Sequence, residues 1–439
     1  MKRDFYLNQL LSREGNGLIK VITGIRRSGK SYLVFTLFQD YLLKECGVPP
    51  ERIITLALDD DSNSKLRHPL RLGQYLRERI TNGFERFYVF IDEIQYCYRI
   101  KSDNMDEKKV APEDRDSLFI TFYEVLNGLL HLGNVDIYVT GSNSRMLSDD
   151  VKTIFRGRGD EVRIHPFSFA EYHACVQGDL YDCWEDYLSY GGMPLAVLER
   201  DVTKRRGYLV GLYEEVYLKD LVERNRIQDI PLLESLLDTL SSSVGSLTNP
   251  TRLANAINTM TRQKDTTANT IDQYIHYLMQ AFLFGKAKRY DLKGKKYLET
   301  PYKFYSEDVG LRNARLNWRQ QEHPHLMENI IYNELVRLGY AVDVGIVSVE
   351  TRKGGVREVR QHEIDFVVNQ GFERVYIQSV FAMETEEKRE QELLPFRHCR
   401  DAFQKVVVSG GNERLWKDEE GIAHIGIIPF LLDARSVLP

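Results

Sequence analysis

Residues Leu18 to Tyr32 read LIKVITGIRRSGKSY: a short apolar run, then Gly24, then GxxxxGKS closing on Gly29, Lys30 and Ser31, then a helical pattern. Strand, glycine turn and helix in this order are what a phosphate-binding loop requires. Backbone N–H groups of the turn and the positive end of the following helix wrap the β and γ phosphates of ATP, while Lys30 neutralises charge and Ser31 holds Mg²⁺. The expected nucleotide-binding segment is therefore Gly24, Ile25, Arg26, Arg27, Ser28, Gly29, Lys30, Ser31 and Tyr32.

Working outward, Phe87 to Glu93 (FYVFIDE) is an apolar, strand-like run ending in two acids. Asp92 is placed to join the Mg²⁺ shell and Glu93 to polarise an attacking water, a pairing that favours ATP hydrolysis over phosphoryl transfer to a small molecule. A third strand, Asp136 to Gly141, delivers Ser142 and Asn143 at its end. Those two either sense the γ-phosphate and orient the water or are ordinary turn residues. Arg156 and Arg158, in FRGRGDEVRI, stand where an arginine finger would precede the next strand. Helical and strand patterns alternate through this first part, which implies an α/β fold with a parallel, helix-covered sheet.

With 439 residues, 43% hydrophobic and 28% charged, the chain has the material for about three domains. No window approaches the ~18 apolar residues of a membrane span, and the first residues hold no sustained apolar run, so a cytoplasmic protein without membrane contact is expected. Five cysteines form no CxxC pair, which fits reduced, mostly buried thiols. The formal net charge of −5 exerts no global pull toward nucleic acid. Any such contact must be local. Between Tyr98 and Ser117 charged residues make up 11 of 20; the segment is either a disordered surface loop or one projecting toward a substrate.

The motifs GIRRSGKS, FIDEIQ, TGSNS, GRG, PFSFAEY, YGGMP and YSEDVGLRNA together resemble a family of prokaryotic AAA-type ATPases, over nearly the whole chain. The resemblance implies a P-loop domain followed by a winged-helix module and a C-terminal domain of nuclease-like fold. It also implies an arginine, Arg156 or Arg158, near the next subunit's nucleotide, and with it a homo-oligomer, expected to be a hexamer. The expected division is 1–165 for the ATPase domain, 166–230 for a helical lid or linker, 231–310 for the winged helix and 311–439 for the nuclease-like part.

The middle region supports the winged helix on its own residues. Thr251 to Gln263 is amphipathic through Leu253, Ala256, Ile257 and Met260, and Thr267 to Leu283 carries Ile271, Ile275, Leu278 and Met279 inward. Two strand-like runs follow around Lys293 and Gly294, with Lys286, Lys288, Arg289, Lys293, Lys295, Lys296 and Lys303 against Asp291 and Glu299. Such a basic wing would neutralise DNA phosphates while Thr266, Thr267, Asn269 and Gln273 face a groove. The alternative is a module for protein contacts with a solvated hairpin.

The C-terminal part has the layout of a restriction-type nuclease with incomplete chemistry. Glu328 lies on a helical stretch, Glu363 and Asp365 on the strand-like HEIDFVV, and Gln378 on VYIQSVF. A lysine two residues after Gln378 would support the attacking water, and that position is Val380. A degenerate, non-cleaving domain is expected, with Lys405 as a candidate for a lysine migrating in from a neighbouring strand. Three functions remain open at this level: a DNA-associated, ATP-driven motor or switch, a nucleotide-gated interaction protein, and, third, an ATP-dependent nuclease.

Overall fold

The computed structural model describes the chain except residues 1, 82, 103–109, 113, 114, 116, 117, 142–156, 262–265, 354, 355, 383, 384, 400 and 439. It divides into two compact units, Met1–Ile164 and His165–Pro439. Ser142, Asn143 and Arg156 lie outside the described residues.

In the first unit the strands are β1 (Ile19–Thr23), β2 (Ile53–Ala57), β3 (Phe87–Asp92), β4 (Ile100–Lys101), β5 (Phe119–Ile120), β6 (Val135–Thr140) and β7 (Gly159–Arg163). Five of them form one parallel sheet in the order β2-β3-β6-β1-β7. All five residues of β1 are buried, as expected for a central parallel strand with helices on both faces. One face packs Ile19, Val21 and Val89 against Leu72, Leu76 and Leu126, and the other packs Ile22, Phe90 and Tyr138 against Leu33, Phe38 and Leu42. Because every strand runs the same way, the segments after β1, β3 and β6 gather at one end of the sheet, the usual place for a ligand in such a fold. The charged segment after β3 is tied at its base: β4 pairs antiparallel with β5.

The second unit opens with helices. Ser168 and Glu171 form a reciprocal capping box that starts the helix Phe169–Val176. The dispersed motifs PFSFAEY, YGGMP and YSEDVGLRNA meet here. The Phe167 N–H donates to the Gly192 carbonyl at 2.7 Å, and the Gly192 N–H to Asp308 Oδ2 at 2.7 Å. A Cβ on Gly192 would stand 2.1 Å from the Phe167 carbonyl oxygen, and one on Gly310 would stand 2.0 Å from that of Tyr190. Glycine is required at both positions because backbone passes backbone.

Next come the helix Ile230–Ser242, β8 (Leu247–Thr248), the helices Pro250–Thr261 and Ala268–Gln280, and the hairpin β9 (Phe284–Asp291) and β10 (Lys296–Ser306). Leu253, Ile257, Ile271, Ile275 and Leu278 are buried as the periodicity predicts, whereas Met260 is exposed. The hairpin is not free. Its strand β9 pairs in parallel with β11 (Ala341–Lys353), joining β8–β10 to a nine-stranded sheet that continues through β12 (Val356–Gln370), β13 (Glu373–Val380), β14 (Gln404–Ser409), β16 (Ala423–Gly426) and the edge strand β15 (Trp416–Lys417). The helix His323–Arg337 packs on one side of this sheet through Leu326, Met327, Ile330 and Ile331. The helix Glu386–Arg397 packs through Leu393 and Phe396 in a second cluster, with Tyr376 and Val407. Among the described residues no helix is long and apolar enough to cross a membrane.

Candidate nucleotide site and acid cluster

The turn after β1 takes backbone conformations that favour glycine: φ is +132° at Gly24 and +95° at Gly29, and Arg27 also lies at +65°. A Cβ on Gly24 would come within 2.1 Å of the Ile164 carbonyl oxygen. The chain turns directly into a helical run, Lys30–Tyr32, a π-helical stretch Leu33–Phe38, and Gln39–Lys44. Its first N–H groups and its dipole therefore face the turn. Lys30 is buried and its Nζ donates to the carbonyls of Gly24 at 3.0 Å and Ile25 at 2.9 Å. Burial pushes its ammonium down to about 8, against the attraction of Glu93 and Asp92.

Ser31 Oγ donates to Asp92 Oδ1 at 3.0 Å. The same carboxylate oxygen accepts from Thr140 Oγ1 at the end of β6, and Thr140 Oγ1 in turn accepts the Glu93 N–H at 3.2 Å. Burial raises the Asp92 carboxyl, and the hydrogen bonds from Thr140 and Ser31 work against that rise. Glu93 stands at φ +50°, an uncommon conformation for a non-glycine residue, and its carboxylate accepts from Gln95 Nε2. Ser31 and Asp92 thus bring together two hard oxygens of the kind that suits Mg²⁺, with Thr140 bonded to the Asp92 carboxylate from a third element. Thr140 escaped the sequence reading, which looked two residues further on. Its signal was the last residue of an apolar strand aimed at the same sheet end. Arg3 was missed as well: it is buried, its Nη1 donates to the Ser28 carbonyl at 2.9 Å, and its guanidinium lies 4.4 Å from the Tyr6 ring centre. Nothing in MKRDFY marks it.

Arg158 is exposed at the start of β7, where Gly159 stands beside Ile19. It sits at the end of the sheet away from the turn, five residues or roughly 16 Å of strand from it. An arginine there does not reach the nucleotide turn of its own chain.

In the second unit, Thr267 caps the helix Ala268–Gln280 through a 3.2 Å bond from the Thr270 N–H. Asn269 and Gln273 are exposed on that helix, and Gln273 Nε2 donates to Tyr277. The basic hairpin is thinner than its composition implies. Lys288, Lys293, Lys295 and Lys296 are exposed, and Lys286 is half-buried over the Tyr302 ring. Arg289 is turned inward and donates to Gln361 at 2.9 Å, so the phosphate role expected of it does not fit. Lys303 leaves the wing altogether. Only 3% exposed, its Nζ stands 2.8 Å from Glu328, 2.7 Å from Glu363 and 3.3 Å from Asp365. A lysine does enter the acid cluster, then, but from β10; Lys405 instead reaches the Cys399 carbonyl at 3.5 Å. Gln378 lies beside the cluster on β13, with its Nε2 on Glu392 at 3.1 Å and its buried Oε1 without a hydrogen-bond partner among the described residues. Val380 is buried among apolar side chains.

Residues 16–173 match a family model described as an AAA domain, and residues 181–322 match one described as a domain of unknown function. An uncharacterized protein of Haemophilus influenzae is 32% identical over 440 residues, covering 98% of both chains. A second, from Methanocaldococcus jannaschii, is 25% identical over 391 residues, 85% of this chain and 77% of its own. Among solved structures, the Aeropyrum pernix ORC2 protein in ADPNP and ADP complexes aligns with 76% of this chain and 92% of its own, at 14% identity and a TM-score of 0.37.

Proposed function

Because the chain belongs, along its whole length, to the family that includes the Haemophilus influenzae protein, with an AAA-type P-loop ATPase domain in its first unit, we propose that it binds ATP with Mg²⁺ and hydrolyses it to drive a DNA-associated switch or motor. One observation carries the hydrolysis reading: Ser31 and Asp92 are joined across the end of the sheet, with Lys30 in the turn and Glu93 next in sequence. Mg²⁺, when bound, draws charge from the phosphates. Ser31 and Asp92 would hold it, Lys30 would release its two carbonyls to meet phosphate oxygens, and Glu93 would align the attacking water in line with the γ-phosphate. Thr140 keeps the Asp92 carboxylate oriented. Since Arg158 stands at the far end of the sheet, it would complete a neighbour's site rather than its own, which supports a homo-oligomeric ring, a hexamer by the family resemblance.

The DNA role rests on the order of elements from Ile230 to Ser306, helix, strand, helix, helix, hairpin, read as a winged helix with exposed lysines on its wing. A specific observation favours a second reading, a nucleotide-gated interaction protein without DNA: β9 is built into the nine-stranded sheet, and Lys293 Nζ donates to the Ser348 carbonyl, 2.5 Å away. ATP hydrolysis with and without duplex DNA, over a range of protein concentrations, separates the two. The DNA reading expects stimulation, with Lys293→Gln, Lys295→Gln and Lys296→Gln together flattening the log–log salt dependence of duplex binding by about 2 at roughly 0.9 per phosphate contact. Weakening should be similar across unrelated sequences, because phosphate contacts do not read bases, and basal hydrolysis should stay unchanged. If the wild type neither binds duplex nor responds to it, the interaction reading takes first place.

A further inference from the structure

Three carboxylates converging on one point form an oxygen donor set of the kind that binds a divalent cation. In the second unit that point is occupied by the ammonium of Lys303, 2.7 to 3.3 Å from Glu363, Glu328 and Asp365. Two of the acids are held by other groups as well. Tyr305 Oη donates to Glu328 at 2.7 Å, and the Ser379 N–H donates to Asp365 Oδ2 at 2.9 Å. The ammonium is not a surface charge that wandered in. Lys303 lies between Tyr302 and Phe304 on β10, which pairs with β8 and β9, so the strand register fixes where its stem points. Among the described residues no three His, Cys, Asp or Glu side chains are arranged to hold a metal ion, so with the ammonium in place the cluster is not a metal site. Among the described residues a buried oxygen on the neighbouring strand, Gln378 Oε1, has no hydrogen-bond partner.

Independently of the nucleotide chemistry in the first unit, we infer that Lys303 is the resident cation of this cluster: a site built for a divalent metal is filled from within by an ammonium carried on the hairpin, which also clamps β10 to the helix His323–Arg337 and to β12. Two consequences follow. The cluster takes up no divalent metal while Lys303 is in place, and metal-dependent cleavage of a phosphodiester is closed to it. Removing the ammonium uncovers the metal site.

The test uses the full-length, nucleotide-free chain carrying Asp92→Asn, which removes the metal-binding carboxylate of the nucleotide site. Manganese is titrated in and the free ion read by electron paramagnetic resonance, with circular dichroism reporting the fold. With Lys303 in place, no Mn²⁺ uptake should depend on Asp365. Lys303→Met should take up one equivalent, and adding Asp365→Asn should abolish it. Lys303→Gln, which keeps the stem and a donor without the charge, serves if the methionine variant does not fold. Mn²⁺ uptake by the Lys303 chain that Asp365→Asn abolishes would overturn the inference, as would folded Met and Gln variants that take up none.

Discussion

Lys30 and Lys303 are both buried beside acids, and their surroundings give them opposite characters. Lys30 touches only backbone carbonyls, with Asp92 and Glu93 near but not bonded to it, and burial lowers its ammonium to about 8. Lys303 is enclosed by three carboxylates that outweigh its burial and hold its ammonium well above the ordinary range. The first is a cation short of a counter-ion, which suits a group that must receive phosphate oxygens. The second is saturated, which suits a group that holds structure. Along the chain the two are not told apart by charged neighbours, since Lys30 stands between Gly29 and Ser31 and Lys303 between Tyr302 and Phe304; the distinction lies in whether the partners in the fold are dipoles or full charges.

That contrast can be broken by making the same substitution twice. Lys303→Met strands the buried carboxylates of Glu328 and Asp365, with the half-buried Glu363 beside them, and should cost about 3–5 kcal/mol of stability, read as a large fall in thermal midpoint, with ATP affinity unchanged. Lys30→Met should do the reverse: the melting temperature holds or rises, because a desolvated ammonium is removed, while ATP binding loses about 1.5–3 kcal/mol of charge-assisted hydrogen bonding. Matching losses of stability in both variants would erase the distinction.

A smaller effect sharpens it. The free-state Lys30 ammonium titrates at about 8, and phosphate contact raises that value because the anion favours the charged form. Binding ATP therefore takes up a proton above pH 8. Affinity should be flat below pH 8 and fall roughly tenfold, about 1.4 kcal/mol, per pH unit above it. Calorimetry in buffers of different ionisation enthalpy reads the proton directly. Flat affinity from pH 7 to 9.5 would mean that Lys30 is not the phosphate-neutralising group.

The geometry of the candidate nucleotide site was legible because its parts are contiguous: GIRRSGKS makes both the turn and the helix start, and FIDE ends a strand. Ser31 and Asp92 meet at one end of a parallel sheet, which the alternation of helices and strands implies, although its order β3-β6-β1 is visible only in the fold. Thr140 was not legible, since its contact with Asp92 depends on which strand lies between β1 and β3. The acid cluster was half legible. Glu328, Asp365 and Gln378 were picked out, but the lysine was sought near VYIQSVF and at Lys405, while the one that entered was counted as a wing charge 62 residues before Asp365. Charge counting along a hairpin cannot say which side chains turn inward. Arg289 and Lys303 both do, because β9 and β10 belong to the larger sheet, and a strand in a sheet offers alternate residues to opposite faces.

The central claim is that the first unit binds and hydrolyses ATP with separate residues for the two tasks, and one variant tests it most directly. Glu93→Gln keeps the size and an oxygen able to accept from Gln95 but removes the charge proposed to align the water. ATP affinity and steady-state turnover of this variant, measured beside the wild type, should show affinity within about twofold and turnover reduced roughly 10²- to 10⁴-fold. Turnover equal to wild type would contradict the assignment, and so would a loss of affinity as large as the loss of turnover.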